Sequence, residues 1–177
     1  ADPFTSLAAA AAVTERIKLG TGICLINQRD PIALAKQVAT VDRLSNGRVI
    51  FGVGAGWNAE EMGNHGVEFK ERWPQLRERV EAMKALWTQE EASYHGRYVN
   101  FDKVWSYPKP VQQPHPPVLL GTFGSEIGRQ RVADYGDGWI PVTSFFRDVP
   151  AVVDDMRARA VEAGREADIT VSMLFIP

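Results

Sequence analysis

Residues 17–53 read IKLGTGICLINQRDPIALAKQVATVDRLSNGRVIFGV, and they contain the local signals that indicate the fold class. The β-branched and apolar run Ile17–Leu25 predicts a buried strand. Asp30-Pro31 predicts a helix start, because aspartate caps free N–H groups and proline fits the first turn. Asn46-Gly47 ends this helix, and Val49–Val53 predicts the next strand. A strand, a helix and a strand within about 30 residues form a βαβ unit, which implies parallel strands.

The helix of this unit should bury one apolar face, formed by Leu34, Val38, Val41 and Leu44. On its N-terminal side, Asp2 and Pro3 open an alanine-rich run that predicts a helix ending near Arg16. On its C-terminal side, strands and helices alternate again: strands Val118–Leu120, Gly138–Val142 and Ile169–Phe175, and helices Ser125–Tyr135 and Val149–Ala163. Five strands with intervening helices form either an open doubly wound sheet or a closed barrel. An eight-stranded barrel usually takes about 250 residues, so this chain cannot complete one alone.

The region at about 57–117 interrupts the alternation, and we interpret it as an insertion rather than a second domain. It contains a polar loop or short helix, an amphipathic helix, a small hairpin and a proline-rich connector: Trp57–Gly66, Pro74–Trp87, Ser93–Phe101 and Pro108–Pro117. The sequence therefore predicts one partial (β/α) barrel domain over residues 1–177.

Composition excludes several classes of protein. A formal net charge of -2 lacks the basic excess that nucleic-acid binding requires. The longest apolar stretches fall far short of the roughly 20 residues that cross a bilayer, and the N-terminus lacks the pattern of a targeting peptide. The single cysteine, Cys24, excludes an internal disulfide framework. We therefore expect a cytoplasmic protein that binds neither nucleic acid nor membrane.

Three glycine-bearing segments fall where predicted strands end: Gly20–Gly22, Gly52–Asn58 and Gly121–Ser125. Parallel α/β folds bind ligands at the carboxyl ends of their strands, where helix N-termini and free backbone N–H groups converge. Gly121–Ser125 is typical of an anion site, although a glycine there can equally mark a tight turn. Gly52 is best interpreted as a small residue that lets the strand turn. Asn58 could cap the next helix or present its amide to a ring edge.

Other chemistries lack a matching pattern. The GxGxG spacing after Val49–Val53 has no acidic residue at the distance that a dinucleotide fingerprint requires. No GxSxG elbow supports a hydrolase, and the separately placed histidines fit no zinc motif, so no metal is predicted. Glu60 and Glu61 are interpreted as first-turn charges of a helix, and Cys24 as an inert buried thiol.

The combination of several short motifs resembles the luciferase-like monooxygenase superfamily. The motifs are RIKLGTGI at 16–23, RDP at 29–31, LSNGR at 44–48 and GVGAGWN at 52–58. Those further along the chain resemble the branch described as F420-dependent oxidoreductases: LW at 86–87, YHG at 94–96, PKP at 108–110, PPV at 116–118 and DGWIP at 137–141. The resemblance spans nearly the whole chain.

This resemblance implies a TIM barrel of the bacterial luciferase type, of which the chain supplies about the third to seventh strands of eight. It implies that the ring of F420 or FMN lies against Gly22 and Ile23, near Gly54, Gly56 and Asn58. The cofactor phosphate would meet Gly121, Thr122, Phe123, Gly124 and Ser125, and Thr143 would face the substrate region. It also implies a non-proline cis peptide at Gly22-Ile23, the alternative being a glycine bulge with trans peptides only. Two departures concern Thr122, where a second glycine is common, and Trp57, where some F420 dehydrogenases carry an acidic residue.

The expected activity is hydride transfer between coenzyme F420 and an unknown organic substrate. One alternative is an FMN-dependent monooxygenase that uses reduced flavin and dioxygen, and another is an inactive barrel fragment that self-associates through its exposed edges. No catalytic side chain is named, because the cofactor performs the redox chemistry. The expected partners are a small-molecule substrate and further copies of the chain in a homo-oligomer.

Overall fold

The computed structural model describes residues 1–141, 148–165 and 168–172. The helices are α1 (Pro3–Val13), α2 (Pro31–Leu44), α3 (Ala59–Asn64), α4 (Arg72–Thr88), α5 (Glu126–Tyr135) and α6 (Val149–Glu162). The strands are β1 (Leu19–Gly20), β2 (Cys24–Leu25), β3 (Val49–Gly54), β4 (Ala92–His95), β5 (Asn100–Val104), β6 (Val118–Gly121), β7 (Gly138–Ile140) and β8 (Thr170–Val171). Single 3-10 turns cover Ile26–Gln28 and Phe69–Glu71.

The main sheet is parallel and follows the order of the chain. Its strands pair in the order β1, β3, β6, β7, β8, and β2 also pairs with β3. The strands curl into a half-barrel flanked by helices, which confirms an incomplete barrel. Because every strand runs in the same direction, the loops after β2, β3, β6 and β7 all emerge at one end of the half-barrel.

The predicted strand Ile17–Leu25 is divided by a bulge. Gly20 pairs with Ile50 and Cys24 pairs with Val53. The two pairs are therefore four positions apart on one side and three positions apart on β3. One extra residue on one strand is the definition of a bulge. The Gly22-Ile23 peptide within it is cis, as the resemblance implied.

Side chains at the helix starts satisfy the first free N–H groups. The Asp2 carboxylate accepts from the Thr5 amide at 2.9 Å, and the Asp30 carboxylate accepts from the Ala33 amide at 2.8 Å. Both helices carry proline in the first turn, which confirms the sequence prediction for their starts. Helix α1 packs on α2 and β1, and α2 also packs on β3 and α4. The core that these elements share includes Phe4, Leu34, Val38, Phe51, Leu76, Met83, Leu86, Leu120 and Trp139.

Two details of the sequence prediction were wrong. Helix α1 ends at Val13 rather than near Arg16, because the backbone is already extended at Thr14. Leu44 was predicted to be buried, but it is the last residue of α2 and is 61% exposed. Leu44 follows Val41 at helical spacing, but the buried residues at that end of the helix are Asp42 and Ser45, and Leu44 lies outside the face that they form.

The middle region supplies both core and surface. Helix α4 buries Leu76, Val80, Met83 and Leu86, while β4 and β5 form the predicted antiparallel hairpin. The Glu78 carboxylate anchors the hairpin turn to α4, because it accepts from the backbone amides of Arg97, Tyr98 and Val99 at 2.9, 2.7 and 3.0 Å. One domain with an insertion at about 57–117 stays a prediction.

A buried arginine joins α1 to the sheet. Arg48 is only 8% exposed, and its guanidinium donates to the carbonyl oxygens of Ala11, Thr14 and Ile17 at 3.1, 2.7 and 3.0 Å. It also donates to the Ser45 carbonyl at 2.7 Å and to Thr14 Oγ1 at 2.9 Å. The last carbonyls of a helix lack partners within the helix, so Arg48 satisfies the end of α1.

We expect Arg48→Met to lower the free energy of unfolding by about 3 kcal/mol or more, because it leaves several buried carbonyl oxygens without a hydrogen-bond donor. Urea unfolding followed by circular dichroism measures the change. Arg16→Met is the matched control: it removes the same charge near the same helix end, but Arg16 is exposed. A loss within about 0.5 kcal/mol, the usual range for surface changes, would contradict the role of Arg48.

Within the described ranges, no helix is both long and apolar enough to cross a membrane.

Candidate functional site

A cleft of about 370 Å³ lies at the carboxyl ends of the strands. It brings together most of the residues that the sequence singled out: Gly22, Ile23, Gly54, Gly56, Gly121, Thr122, Phe123 and Ser125. The remaining lining is largely apolar, with two arginines: Leu25, Ala55, Trp57, Phe69, Arg72, Trp73, Arg131 and Ile140. The three glycine-bearing segments therefore meet in one concave site, to which residues at 69–73, Arg131 and Ile140 also contribute.

The Ile23 side chain packs over two glycines of neighbouring strands. A Cβ atom at Gly54 would lie 2.4 Å from Ile23 Cδ1, and one at Gly121 would lie 2.8 Å from Ile23 Cγ2. Both distances are too short for real contacts, so glycine is required wherever Ile23 keeps this position. The bulge, β3 and β6 together give the cleft a floor made of backbone and one aliphatic side chain.

The turn after β6 is held in place by hydrogen bonds. Trp139 Nε1 donates to the Thr122 carbonyl at 2.8 Å. Ser125 caps α5, because its Oγ accepts from the Gly128 amide at 3.3 Å. A Cβ atom at Gly128 would lie only 1.9 Å from the Phe123 carbonyl oxygen, so the turn lies directly against the helix. Because Ser125 Oγ accepts in the cap, its own proton remains available to donate.

Two arginines that were not predicted from the sequence also line the cleft. The Arg72 guanidinium lies over the Phe69 ring at 3.8 Å, and the Arg131 guanidinium lies over the Trp73 ring at 4.0 Å. In the described part of the chain, neither forms an ion pair with a carboxylate. Arg72 Nε is buried and has no hydrogen-bond partner among these residues.

The two guanidinium groups also affect each other. Burial lowers the pKa of the Arg131 guanidinium, and the neighbouring Arg72 charge acts in the same direction. Two cations that repel each other and lack a counter-ion favour an anion at this end of the cleft.

One sequence signal could have identified Arg72. It occupies the first position of α4, where the helix dipole disfavours a positive charge, so an arginine at that position indicates a further role. Arg131 lies in the middle of α5 and gives no such signal. Only the tertiary packing of α5 against α4 places it at the cleft.

Two predicted residues do not line the cleft, and a third is not among the described residues. Asn58 caps α3, because its Oδ1 accepts from the amides of Glu60 and Glu61 at 3.0 and 3.1 Å. It does not line the cleft, and neither does Gly124. Thr143 lies outside the described residues. Gly56 does line the cleft, with a φ of 86° that favours glycine.

The remaining candidate groups take no part in the cleft. His65 and His95 are exposed, whereas His115 is largely buried against the Trp87 ring at 5.7 Å. Within residues 1–141, 148–165 and 168–172, no three histidine, cysteine, aspartate or glutamate side chains lie close enough to hold a metal ion.

The single thiol is buried in the core, and we expect it to be unreactive. Cys24 is 3% exposed, and burial raises its pKa to about 11. At pH 8 only about one thiol in a thousand would be ionised, and the thiolate is the nucleophile. Iodoacetamide should therefore leave the folded protein unmodified at pH 8 and alkylate it once urea unfolds it, as measured by intact mass. Rapid labelling of the folded protein would contradict this.

Sequence comparisons identify one family model and several relatives that match most of the chain. The sequence profile of the luciferase-like monooxygenase family matches residues 1–177. An uncharacterized protein of Mycobacterium tuberculosis is 55% identical over 139 residues, which cover 78% of this chain and 49% of that protein. An FMNH2-dependent dimethylsulfone monooxygenase of Pseudomonas putida is 33% identical and matches 93% of this chain and 46% of its own length. An F420-dependent glucose-6-phosphate dehydrogenase of Nocardia farcinica is 35% identical, and the match covers 96% of this chain and 52% of that protein.

A structural comparison agrees. The crystal structure of the monooxygenase RslO1 from Streptomyces bottropensis superposes with a TM-score of 0.85 at 32% identity, covering 96% of this chain and 53% of RslO1. The chain spans about half the length of these relatives. The family profile, in contrast, matches the chain from end to end. The chain therefore belongs to the luciferase-like monooxygenase family.

Proposed function

We propose that this chain forms the cofactor-binding part of an F420-dependent oxidoreductase, which transfers hydride between the deazaflavin and a small organic substrate. The observation that carries the proposal is a single cleft with an apolar, glycine-lined floor and two arginines that pair with no carboxylate of the described residues. A phosphorylated cofactor with a flat ring has both of the matching chemical features.

The floor suits a planar ring system. Gly54 and Gly121 have no side chain, which leaves room for the Ile23 side chain to lie over them. Gly22, Trp73 and Ile140 line the same space. A ring could lie flat on the apolar surface that Ile23 forms, because the glycines beneath it let this side chain lie close to the backbone. We assign Gly22, Ile23, Gly54 and Gly56 to the ring.

The charged part of the cleft suits a phosphate. Gly121, Thr122, Phe123, Gly124 and Ser125 lead into the N-terminus of α5, where free N–H groups and the helix dipole favour an anion. The Ser125 hydroxyl can donate to a phosphate oxygen while it caps the helix. Arg72 and Arg131 supply the two positive charges that a phosphate needs for tight binding. We assign this part of the cleft to the cofactor phosphate.

The cofactor supplies the hydride chemistry, and the residues of the chain bind it and orient it. Trp57 and Phe123 line the cleft and are 86% and 63% exposed, so they are placed where an organic substrate would contact apolar surface. Thr143 lies outside the described residues, two positions after Pro141. We propose that it faces the same region. No side chain of the described residues is assigned as an acid or base.

An FMN-dependent monooxygenase is the second candidate, favoured by the likeness to the dimethylsulfone monooxygenase. The same floor and the same arginines would bind the isoalloxazine ring and the phosphate of FMN. In that case the cleft would also admit dioxygen to the reduced flavin.

Fluorescence titration of the full-length protein with F420 and with FMN separates the candidates. We expect F420 to bind at least about tenfold more tightly than FMN, a difference of about 1.4 kcal/mol. Tighter binding of FMN, with substrate-dependent oxygen consumption when reduced FMN is supplied, would replace the F420 assignment with the monooxygenase. If neither cofactor binds, the remaining hypothesis is an inactive barrel fragment that self-associates.

Gly124→Asp tests the phosphate assignment. An added carboxylate beside the anion site should weaken cofactor binding at least about tenfold through like-charge repulsion. Ala9→Asp, on an exposed position of α1, is the matched control, because it adds the same charge far from the cleft. Equal cofactor affinity in the two variants, measured by the same titration, would remove Gly124 from the site.

We also infer that the 177-residue chain is a single partial barrel that associates with further copies. Strands β1 and β8 are the edges of its parallel sheet, and unpaired edges template pairing with another chain. Size-exclusion chromatography with light scattering should therefore give a species larger than the 19.6 kDa monomer. A stable monomer at high concentration would refute the inference.

A further inference from the structure

A buried asparagine connects two segments that line the cleft. Asn27 belongs to the 3-10 turn that follows β2 and is 3% exposed. Its Nδ2 donates to the Arg72 carbonyl oxygen at 2.8 Å, and a longer bond of 3.5 Å reaches the Ala55 carbonyl oxygen. Ala55 and Arg72 both line the cleft, whereas Asn27 does not. One buried amide therefore joins the loop after β3 to the start of α4 without being part of the lining.

The bond to Arg72 is additional to the hydrogen bonds of helix α4. Arg72 is the first residue of α4, and in an α-helix the carbonyl oxygen of a residue accepts from the amide four positions later. A carbonyl oxygen has two lone pairs, so it can accept a second bond from a side chain. Helix formation therefore does not require the bond from Asn27. What this bond adds is a fixed position of the start of α4 relative to the turn after β2.

The stability of the core does not explain an asparagine at this position. Asn27 Oδ1 is buried and has no hydrogen-bond partner among the described residues, so only one half of the amide is paired. The preceding residue, Ile26, is fully buried. A buried polar atom without a partner lowers stability, and residues that break such a rule occur mainly at functional sites. We therefore looked for the role of Asn27 in the residues to which it donates.

The guanidinium of Arg72 is held close to the start of its own helix. Arg72 Nη1 donates to the Phe69 carbonyl oxygen at 2.7 Å, and the guanidinium lies over the Phe69 ring at 3.8 Å. Phe69 belongs to the 3-10 turn directly before α4. The position of the guanidinium in the cleft therefore depends on the backbone at 69–72, and Asn27 holds this backbone at Arg72.

We propose that Asn27 is a positioning residue for the cofactor phosphate and acts through Arg72. Its amide sets the distance between the start of α4, which carries the Arg72 guanidinium, and the loop at Ala55, which follows the floor of the cleft. The identity of the ligand rests on the proposed function. The link between Asn27 and Arg72 does not, because it is present in the chain without a cofactor.

The link is tested first in the ¹⁵N-labelled full-length protein without a cofactor. Asn27→Leu keeps the branched shape of the side chain and removes the donor without adding a charge. Arg72 Nε is buried, and its N–H resonance is identified by its loss in Arg72→Gln. We expect Asn27→Leu to shift this resonance and to lower its heteronuclear NOE, because the start of α4 becomes less fixed. An Arg72 resonance with the wild-type position and NOE would overturn the proposal.

Gln112→Met is the matched control. The Gln112 amide also donates to a backbone carbonyl oxygen of another segment, that of Val49 at 2.8 Å. Val49 begins β3, so this bond lies at the end of the strand opposite the cleft. The control removes a comparable bond, and we expect it to leave the Arg72 resonance unchanged.

The role toward the phosphate is tested by fluorescence titration with F420 and the phosphate-free deazaflavin, or with FMN and riboflavin. We expect Asn27→Leu to weaken binding of the phosphorylated ligand at least about fivefold, and to change the affinity for the phosphate-free ligand by less than about twofold. Gln112→Met should leave both affinities unchanged. In the Arg72→Gln background, Asn27→Leu should weaken binding of the phosphorylated ligand by less than about twofold, because its effect passes through Arg72.

Equal losses for the two ligands, or an undiminished loss in the Arg72→Gln background, would mean that Asn27 only supports the fold and would overturn the proposal. If circular dichroism shows that Asn27→Leu does not fold, Asn27→Ser takes its place, because the shorter side chain lacks the amide donor. Failure of the wild-type protein to bind any of these ligands would refute the proposed function and the phosphate role together. The Arg72 resonance would still decide whether Asn27 positions this arginine.

Discussion

Replacing Gly52 by alanine is expected to prevent stable folding of the half-barrel. A Cβ atom at this position would lie 2.0 Å from the Thr21 carbonyl oxygen and 2.6 Å from Ile140 Cδ1. Gly52 is in the middle of β3, which is paired with β6 on one side and with β1 and β2 on the other. The Thr21 Oγ1 also donates to the Gly52 carbonyl at 2.6 Å, so the bulge cannot retreat without losing this bond.

The cost of Gly52→Ala should therefore exceed the roughly 1–3 kcal/mol of ordinary overpacking, because the added methyl group meets backbone and not a flexible side chain. Gly63→Ala in α3 is the control, since a Cβ atom there meets nothing within 4 Å. It should be neutral or slightly stabilising, because alanine favours the helix by about 1 kcal/mol relative to glycine. Urea unfolding monitored by circular dichroism compares the two, and a native-like midpoint for Gly52→Ala would contradict the close approach.

Local sequence signals predicted the elements of this fold well. Asp2, Asp30 and Ser125 cap the helices that they were predicted to start. The signals act within a few residues, so they can be interpreted without knowledge of the tertiary structure. The order of strands and helices then followed, because parallel strands require crossover helices.

Positions governed by contacts between distant segments were less predictable. Gly52 was interpreted as a residue that lets the strand turn, but the structure places it against the backbone of the bulge, 31 residues earlier in the chain. Leu44 fits the helical period and is nevertheless exposed. Neither the close approach nor the limit of the core is encoded near these residues in sequence.

The residues of the cleft also include some that local sequence signals predicted and some that they did not. Its glycines were predicted because they interrupt strands or follow them directly, which is a local signal. Its arginines were not, because Arg72 and Arg131 come from two helices, and residues 89–125 lie between these helices along the chain. Arginine is common on helix surfaces. These two are distinguished because they line the cleft and, among the described residues, form no ion pair with a carboxylate.

The final prediction concerns this arginine pair. Arg72→Gln and Arg131→Gln should each weaken binding of the phosphorylated cofactor by roughly tenfold to a hundredfold, since a hydrogen bond to a charged group contributes about 1.5–3 kcal/mol. Glutamine removes the charge together with the guanidinium that lies over the Phe69 or Trp73 ring, so both effects have to be measured. Arg157→Gln is the matched control, because Arg157 lies on α6 and pairs with Asp154 away from the cleft.

A ligand that lacks the phosphate shows whether the two arginines bind the phosphate through their charge or only support the wall of the cleft. Each variant is titrated with F420 and the phosphate-free deazaflavin, or with FMN and riboflavin if FMN is the cofactor. If the arginines bind the phosphate, both variants lose affinity for the phosphorylated ligand and keep their affinity for the phosphate-free one. Equal losses for the two ligands would mean that the arginines only support the aromatic wall of the cleft, and the phosphate would then have to bind elsewhere.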